Sequence, residues 1–321
     1  MVELSPMGAS VQRFLVPNRH GNLVNIILSP GDAMAPRSAC AYAGAIIGPV
    51  AGRIRDGIIA VNGKLLQLDQ NDGRNHLHGG MHGLSDAVWE IKRADPKIVV
   101  FVLELQDGLD GYPGQRTFEV CYSLDNENTL SLAMTANSNQ PTLLNPSTHI
   151  YWNLSGDLAQ PIANHLLQIA ADMVVFNRED HTMENLQSVE NTIYDFRIPK
   201  PINIAIEGRS HPQMEISRGL NNLFVLQKSA RGASIAPQLS LFHPTSRRKL
   251  TVSTSLPCQW VYSGGYLDSR IRLENGNVGS PGLAIAFEPQ RTHPAHENGG
   301  FIQTNGSTSH YREWIDFTIT M

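Results

Sequence analysis

The chain has 321 residues, 41% of them apolar and 17% charged, which is enough apolar material for a large core and too little charge for a disordered chain. Its 25 basic and 29 acidic residues leave a net charge of -4, and no run of five Lys or Arg occurs, which argues against a nucleic-acid partner. The start, Met-Val-Glu-Leu-Ser-Pro, lacks the basic flank and apolar stretch of a signal peptide, and nothing approaches the roughly 18 apolar residues of a membrane span. The expectation is a cytoplasmic protein without a membrane partner.

Glycine (27) and proline (19) punctuate the chain throughout. The segments between them are short, often alternating, and rich in β-branched and aromatic residues, which is strand grammar. Ile58 to Val61 and Lys64 to Leu68 flank Asn62-Gly63, a two-residue turn suited to a hairpin. Lys97 to Leu105 reads as a strand, and a second hairpin is expected over Thr117 to Thr135, turning at Asp125 to Asn128. Gln238 to Phe242, Lys249 to Ser253, Leu283 to Phe287 and Trp314 to Ile319 complete the set. No helix is assigned: Ala39 to Val50 is broken by Gly44, Gly48 and Pro49. Asn177 to Lys200 is polar and poorly periodic, and reads as a surface loop. Many strands without intervening amphipathic helices indicate an all-β sandwich or barrel. No repeat or linker divides the chain, so residues 1–321 are expected to form a single domain.

Three constellations carry candidate chemistry. Asn75-His76-Leu77-His78-Gly79-Gly80-Met81-His82-Gly83 packs three histidines beside three glycines. If Asn75 to His78 is extended, His76 and His78 share a face. They then read as metal ligands with His82, as turn-capping histidines, or as a metal-free acid or polar binding group. In Leu143 to Gly156, His149 is bracketed by Thr148, Tyr151, Trp152 and Asn153, a hydrogen-bonding shelf with aromatic walls. Leu283 to Gln290 is an apolar strand ending in Glu288 just before Pro289. Burial there would raise the carboxyl pKa and suit it to a general base. Cys40, Cys121 and Cys258 are an odd, scattered set and read as half-buried free thiols. His293 and His296 receive no role. The chain contains no P-loop, dinucleotide fingerprint, nucleophile elbow or HExxH motif.

In order along the chain, Gly8-Ala9-Ser10, Val16 to Asn22, Ile47 to Ile54, Asn75 to Gly80, Val88-Trp89-Glu90 and Asp110 to Gly114 resemble the aldose 1-epimerase (galactose mutarotase) family. Thr148 to Leu154, Asp195-Phe196-Arg197, His243 to Ser246 and Phe287 to Gln290 continue the match. Each segment is weak alone, and their collinearity over nearly the whole chain is specific. The resemblance implies a large antiparallel β-sandwich, the galactose mutarotase-like supersandwich. It also implies an isomerase without cofactor or metal that interconverts the anomers of a small-molecule sugar. By the same resemblance Glu288 is the general base, His149 the general acid, His78 a supporting donor near the ring oxygen, and Arg53 a contact to sugar hydroxyls. Opening a ring needs one base and one acid at a single carbon, work that a glutamate and a histidine can do near neutral pH.

Four features depart from the family pattern: Gly52 stands where Asn is usual, Asn221 replaces an aspartate, Trp260 replaces a glutamine, and the N-terminus is shorter. They spare the acid and base and fall on substrate contacts or the edge of the sandwich, so Asn221 and Trp260 are expected to shape recognition of a sugar other than galactose. Two alternatives follow: a sugar-binding or regulatory protein that keeps the pocket without turnover, and a metal-dependent cupin-like isomerase through His76, His78 and His82. A homodimer is compatible with the sequence.

Overall fold

The computed structural model describes residues 1–203, 211–227, 237–291 and 311–321, together with the backbone of 302–303. His293 and His296 lie outside the described residues. Two antiparallel sheets dominate. The larger has nine strands, in spatial order Lys200–Pro201, Leu166–Ile169, Leu239–Phe242, Lys249–Thr254, Tyr311–Thr320, Thr129–Ser138, Arg116–Leu124, Ile98–Leu105 and Glu90–Asp95. The second has six: Tyr151–Trp152, Ile285–Gln290, Cys258–Tyr262, Asn221–Leu226, Ala171–Asn177 and Met183–Ser188. Pro212–Ser217 is a short α-helix, and among the described residues no helix is long and apolar enough to cross a membrane.

The period of two along each strand sorts residues between the faces of the six-stranded sheet. Trp152, Phe287, Val261, Phe224 and Val174 point into the core shared with the nine-stranded sheet. There the Trp152 ring lies 5.4 Å from Phe14 and 5.3 Å from Phe317, centroid to centroid. The alternate residues Tyr151, Ala286, Trp260, Leu223 and Val175 point the other way, into a second apolar cluster with Leu28, Leu267, Leu273 and Leu283. Connecting segments cover that second face, so Ile285–Gln290 is buried along its whole length.

Both expected hairpins form. Ile58–Val61 pairs with Lys64–Gln67 about Asn62 (φ 49°) and Gly63 (φ 75°), the positive pair that this turn requires. Arg116–Leu124 pairs in continuous register with Thr129–Ser138.

Two segments differ from expectation. The late strand does not stop before Pro289 but runs through it to Gln290. A proline lacks only the donor, and the neighbouring strand Tyr151–Trp152 has already ended on one side, pairing no further than Ala286, so no ladder amide is missed there. Within Asn177 to Lys200, Met183–Ser188 is an edge strand paired with Ala171–Asn177. Its side chains are exposed after Met183, so no apolar alternation marked it. Cys40 and Cys258 are buried, Cys121 is half-buried, and all three are free thiols.

Candidate active site

The second face of the six-stranded sheet opens into a pocket of about 670 Å³ counted out to its mouth, within the roughly 300–1,000 Å³ usual for small-molecule sites. Six residues singled out from the sequence all line it: Arg53, His78, His149, Asn221, Trp260 and Glu288. Tyr42, Tyr151, Tyr262 and Tyr266 supply most of the remaining wall.

Glu288 stands at the centre, 3% exposed, with Oε1 3.3 Å from His149 Nε2. Burial pushes its carboxyl from 4.5 up to about 8, against a smaller opposing pull from the Arg53 charge. His149 is fixed through its backbone: its amide donates to the Ala45 carbonyl at 2.8 Å and its carbonyl accepts from the Gly44 amide at 3.0 Å. Burial brings the imidazole down to about 3. Two directions of shift with one cause leave the pair holding a single proton at neutral pH. That proton can sit on Glu288 beside a neutral imidazole, or on His149 beside a carboxylate, with no change in the charge of the pair.

His78 does not share a face with His76. The strand there is only His76–Leu77, and His78 takes φ 51°, which turns its side chain out of the alternation. The following Gly79 allows this: at φ 95°, a Cβ on it would lie 1.8 Å from the Gly48 carbonyl oxygen. His76 goes elsewhere. Its Nδ1 donates to the Asp69 carbonyl at 2.6 Å and its Nε2 accepts from the Tyr112 hydroxyl at 2.8 Å. His82 is mostly exposed and faces Asp110. The expected grouping of His76, His78 and His82 is therefore not assembled.

A different trio, His78, His149 and Glu288, does bring its ligand atoms within 4.8 Å of one another. Its donors do not suit a cation. His78 Nδ1 accepts the Gly52 amide hydrogen at 3.1 Å, so the neutral ring carries its own hydrogen on Nε2 and presents a donor rather than a lone pair. Burial, followed by the nearby His149 and Arg53, holds the His78 ring well below the usual histidine range and therefore neutral.

Arg53 is anchored by Asp72, which accepts from Nε at 2.6 Å, and by the pairing of its strand with His76–Leu77. Trp260 Nε1 donates to Asn221 Oδ1 at 2.6 Å, both residues being buried. The Tyr266 backbone amide donates to the Tyr262 hydroxyl at 2.7 Å, which fixes the Tyr262 ring against that segment. Tyr151 was visible in the sequence as a wall beside His149, whereas its neighbour Trp152 serves the core. Asp72, Tyr42, Tyr262 and Tyr266 carried no local signal, because each reaches the site from a separate segment of chain.

The family model described as aldose 1-epimerase matches residues 1–317. The aldose 1-epimerase of Haemophilus influenzae is 31% identical over 283 residues, covering 86% of this chain and 80% of its own. The galactose mutarotase of Rattus norvegicus is 28% identical over 328 residues, covering 99% and 91%. In structure, an aldose epimerase homologue from C. elegans superposes with a TM-score of 0.90 at 27% identity, over 99% of this chain and 95% of its own.

Proposed function

Because the chain belongs to the aldose 1-epimerase family, we propose that Glu288 and His149 interconvert the α and β anomers of a free aldose in this pocket. The contact of 3.3 Å between His149 Nε2 and Glu288 Oε1 carries this assignment. So short a separation suits the chemistry, since the anomeric oxygen O1 and the ring oxygen O5 are bonded to one carbon.

In the opening step the Glu288 carboxylate takes the O1 proton, the C1–O5 bond breaks as the C1=O1 bond forms, and protonated His149 gives its proton to O5. Glu288 is then neutral and so is His149. After rotation about C1–C2 the aldehyde presents its other face. O5 attacks C1 and returns its proton to His149, while Glu288 protonates O1. The pair begins and ends with one proton, so no co-reactant is consumed. His78, held as an Nε2 donor by the Gly52 amide, points a fixed hydrogen toward developing negative charge, and Arg53 supplies further donors.

Exchange between anomers, followed by NMR or polarimetry, tests the assignment. Replacing Glu288 by Gln or His149 by Asn should lower the catalysed rate by about 10²- to 10⁴-fold. Either variant retaining full activity overturns the assignment. The non-catalytic sugar-binding alternative predicts calorimetric binding without any acceleration of exchange. Placement in the cytoplasm, and a small-molecule sugar rather than nucleic acid as ligand, rest on sequence composition and belong to this proposal.

A further inference from the structure

Acid, base and an indole follow one another in a row of side chains on the pocket wall. His149 precedes the strand Tyr151–Trp152 and bonds through its backbone to Gly44 and Ala45, and its side chain meets Glu288 at 3.3 Å. Glu288 in turn pairs with Trp260 on the next strand. These two paired side chains share a face at the spacing of neighbouring strands, roughly 5 Å. With O5 at His149 and O1 at Glu288, the ring edge O5–C1–C2 runs along the row. The substituent on C2 then comes to rest beside Trp260.

That end of the row has an unusual polar inventory. Trp260 is 5% exposed, and its single polar atom is spent on Asn221 Oδ1. Asn221 pairs with Tyr262, which places it diagonal to Trp260 on the same face. Its oxygen is thereby occupied, and its Nδ2 hydrogens have no partner among the described residues. These two side chains thus offer an apolar ring and amide donors, with their one acceptor oxygen already engaged. A hydroxyl on C2 could accept from Nδ2, but its own hydrogen would find no free acceptor on either of them. A carbonyl oxygen only accepts, and a methyl group beside it would lie on the indole.

We infer that the C2 subsite is built for an acylamino group, so that the preferred substrate is a 2-acetamido-2-deoxy aldose. This deepens the anomer-exchange reading and rests on it. The test measures exchange rates for N-acetylglucosamine, N-acetylgalactosamine, glucose, galactose and 2-deoxyglucose, using the full-length wild-type chain and the Trp260→Gln and Trp260→Phe variants. One of the two acetamido sugars should exceed its parent hexose by about tenfold or more in kcat/KM. Trp260→Gln should erase most of that ratio through KM. Trp260→Phe, which keeps an apolar ring but releases Asn221 Oδ1, should erase part of it. A parent hexose or 2-deoxyglucose leading the series overturns the inference while leaving the epimerase reading intact. So does an acetamido preference that neither folded variant changes. No acceleration with any of the five sugars overturns the epimerase reading as well.

Discussion

The Gly52 amide donates to His78 Nδ1 at 3.1 Å, and this bond selects the tautomer in which His78 Nε2 carries the hydrogen. A backbone amide cannot reverse its polarity, so His78 acts as a donor for as long as the ring stays neutral. Long-range proton–nitrogen NMR should report Nδ1 as the unprotonated nitrogen. His78→Asn should lower kcat/KM by about 10²-fold, the scale seen when one fixed donor to a developing charge is lost. Exhaustive chelation should leave the wild-type rate unchanged, and a rate that falls on chelation and returns with metal would contradict the donor assignment.

The pH dependence follows from the shared proton. With Glu288 raised to about 8, the pair loses its last proton as pH climbs through that value, and neither direction of the reaction has an acid. With His149 lowered to about 3, a second proton enters only below that value and removes the base. The enzymatic part of kcat/KM should therefore be flat from about pH 4 to 7 and fall tenfold per pH unit well above 8. A profile still rising at pH 9, after subtraction of the spontaneous rate, would contradict this.

Glu288 should also cost the fold stability. Its carboxyl is raised in the folded chain, so its contribution is fully present below its ordinary value of 4.5 and is lost as pH rises toward about 8. Glu288→Gln removes the titrating group but keeps the shape. The variant should match wild type near pH 4 and become more stable by about 1–3 kcal/mol above pH 8, as often follows removal of a buried charge. Denaturant titrations at pH 4.5, 6.5 and 8.5 would read the difference, and a constant offset at all three would refute it.

Asp72 does not line the pocket, so in the proposed mechanism it acts on the sugar only through Arg53. The ion pair is partly exposed, at 20% and 36% for the two side chains, so its net worth to folding is small. Its value lies in orientation. Asp72→Ala should raise KM about three- to tenfold with little change in kcat or melting temperature, and Asp72→Asn should recover part of the loss. An equal drop in kcat would place Arg53 in the chemical step instead.

His78, His149 and Glu288 were legible in the sequence because each sits in a short segment with an unusual local composition, such as His149 among Thr148, Tyr151 and Asn153, whereas Arg53, Asn221 and Trp260 came only from the resemblance to a known family. Their convergence in one pocket was not legible from periodicity, and the resemblance to a known family supplied it. The error over His76 and His78 came from applying strict alternation to a strand of two residues. A single left-handed residue redirects everything after it, and no rule of composition flags that at a histidine. Asp110 went unread for a related reason. Its carboxylate accepts from the Met81 and His82 amides and steadies the loop after His78, yet it lies 32 residues downstream of that histidine in the sequence. The partnership of Asn221 with Trp260 was equally invisible, because it depends on cross-strand register.

Glu288 is located by its ladder with Trp260, and His149 by its bonds to Gly44 and Ala45, so the interval between them is set by amide-to-carbonyl pairing and not by any side chain. Such a lattice works as a ruler that mutation cannot easily stretch. Under the proposed mechanism, exchanging a wall residue such as Trp260 would alter which sugar is welcomed without disturbing the distance over which protons move. A scaffold of this kind separates the evolution of taste from the evolution of chemistry.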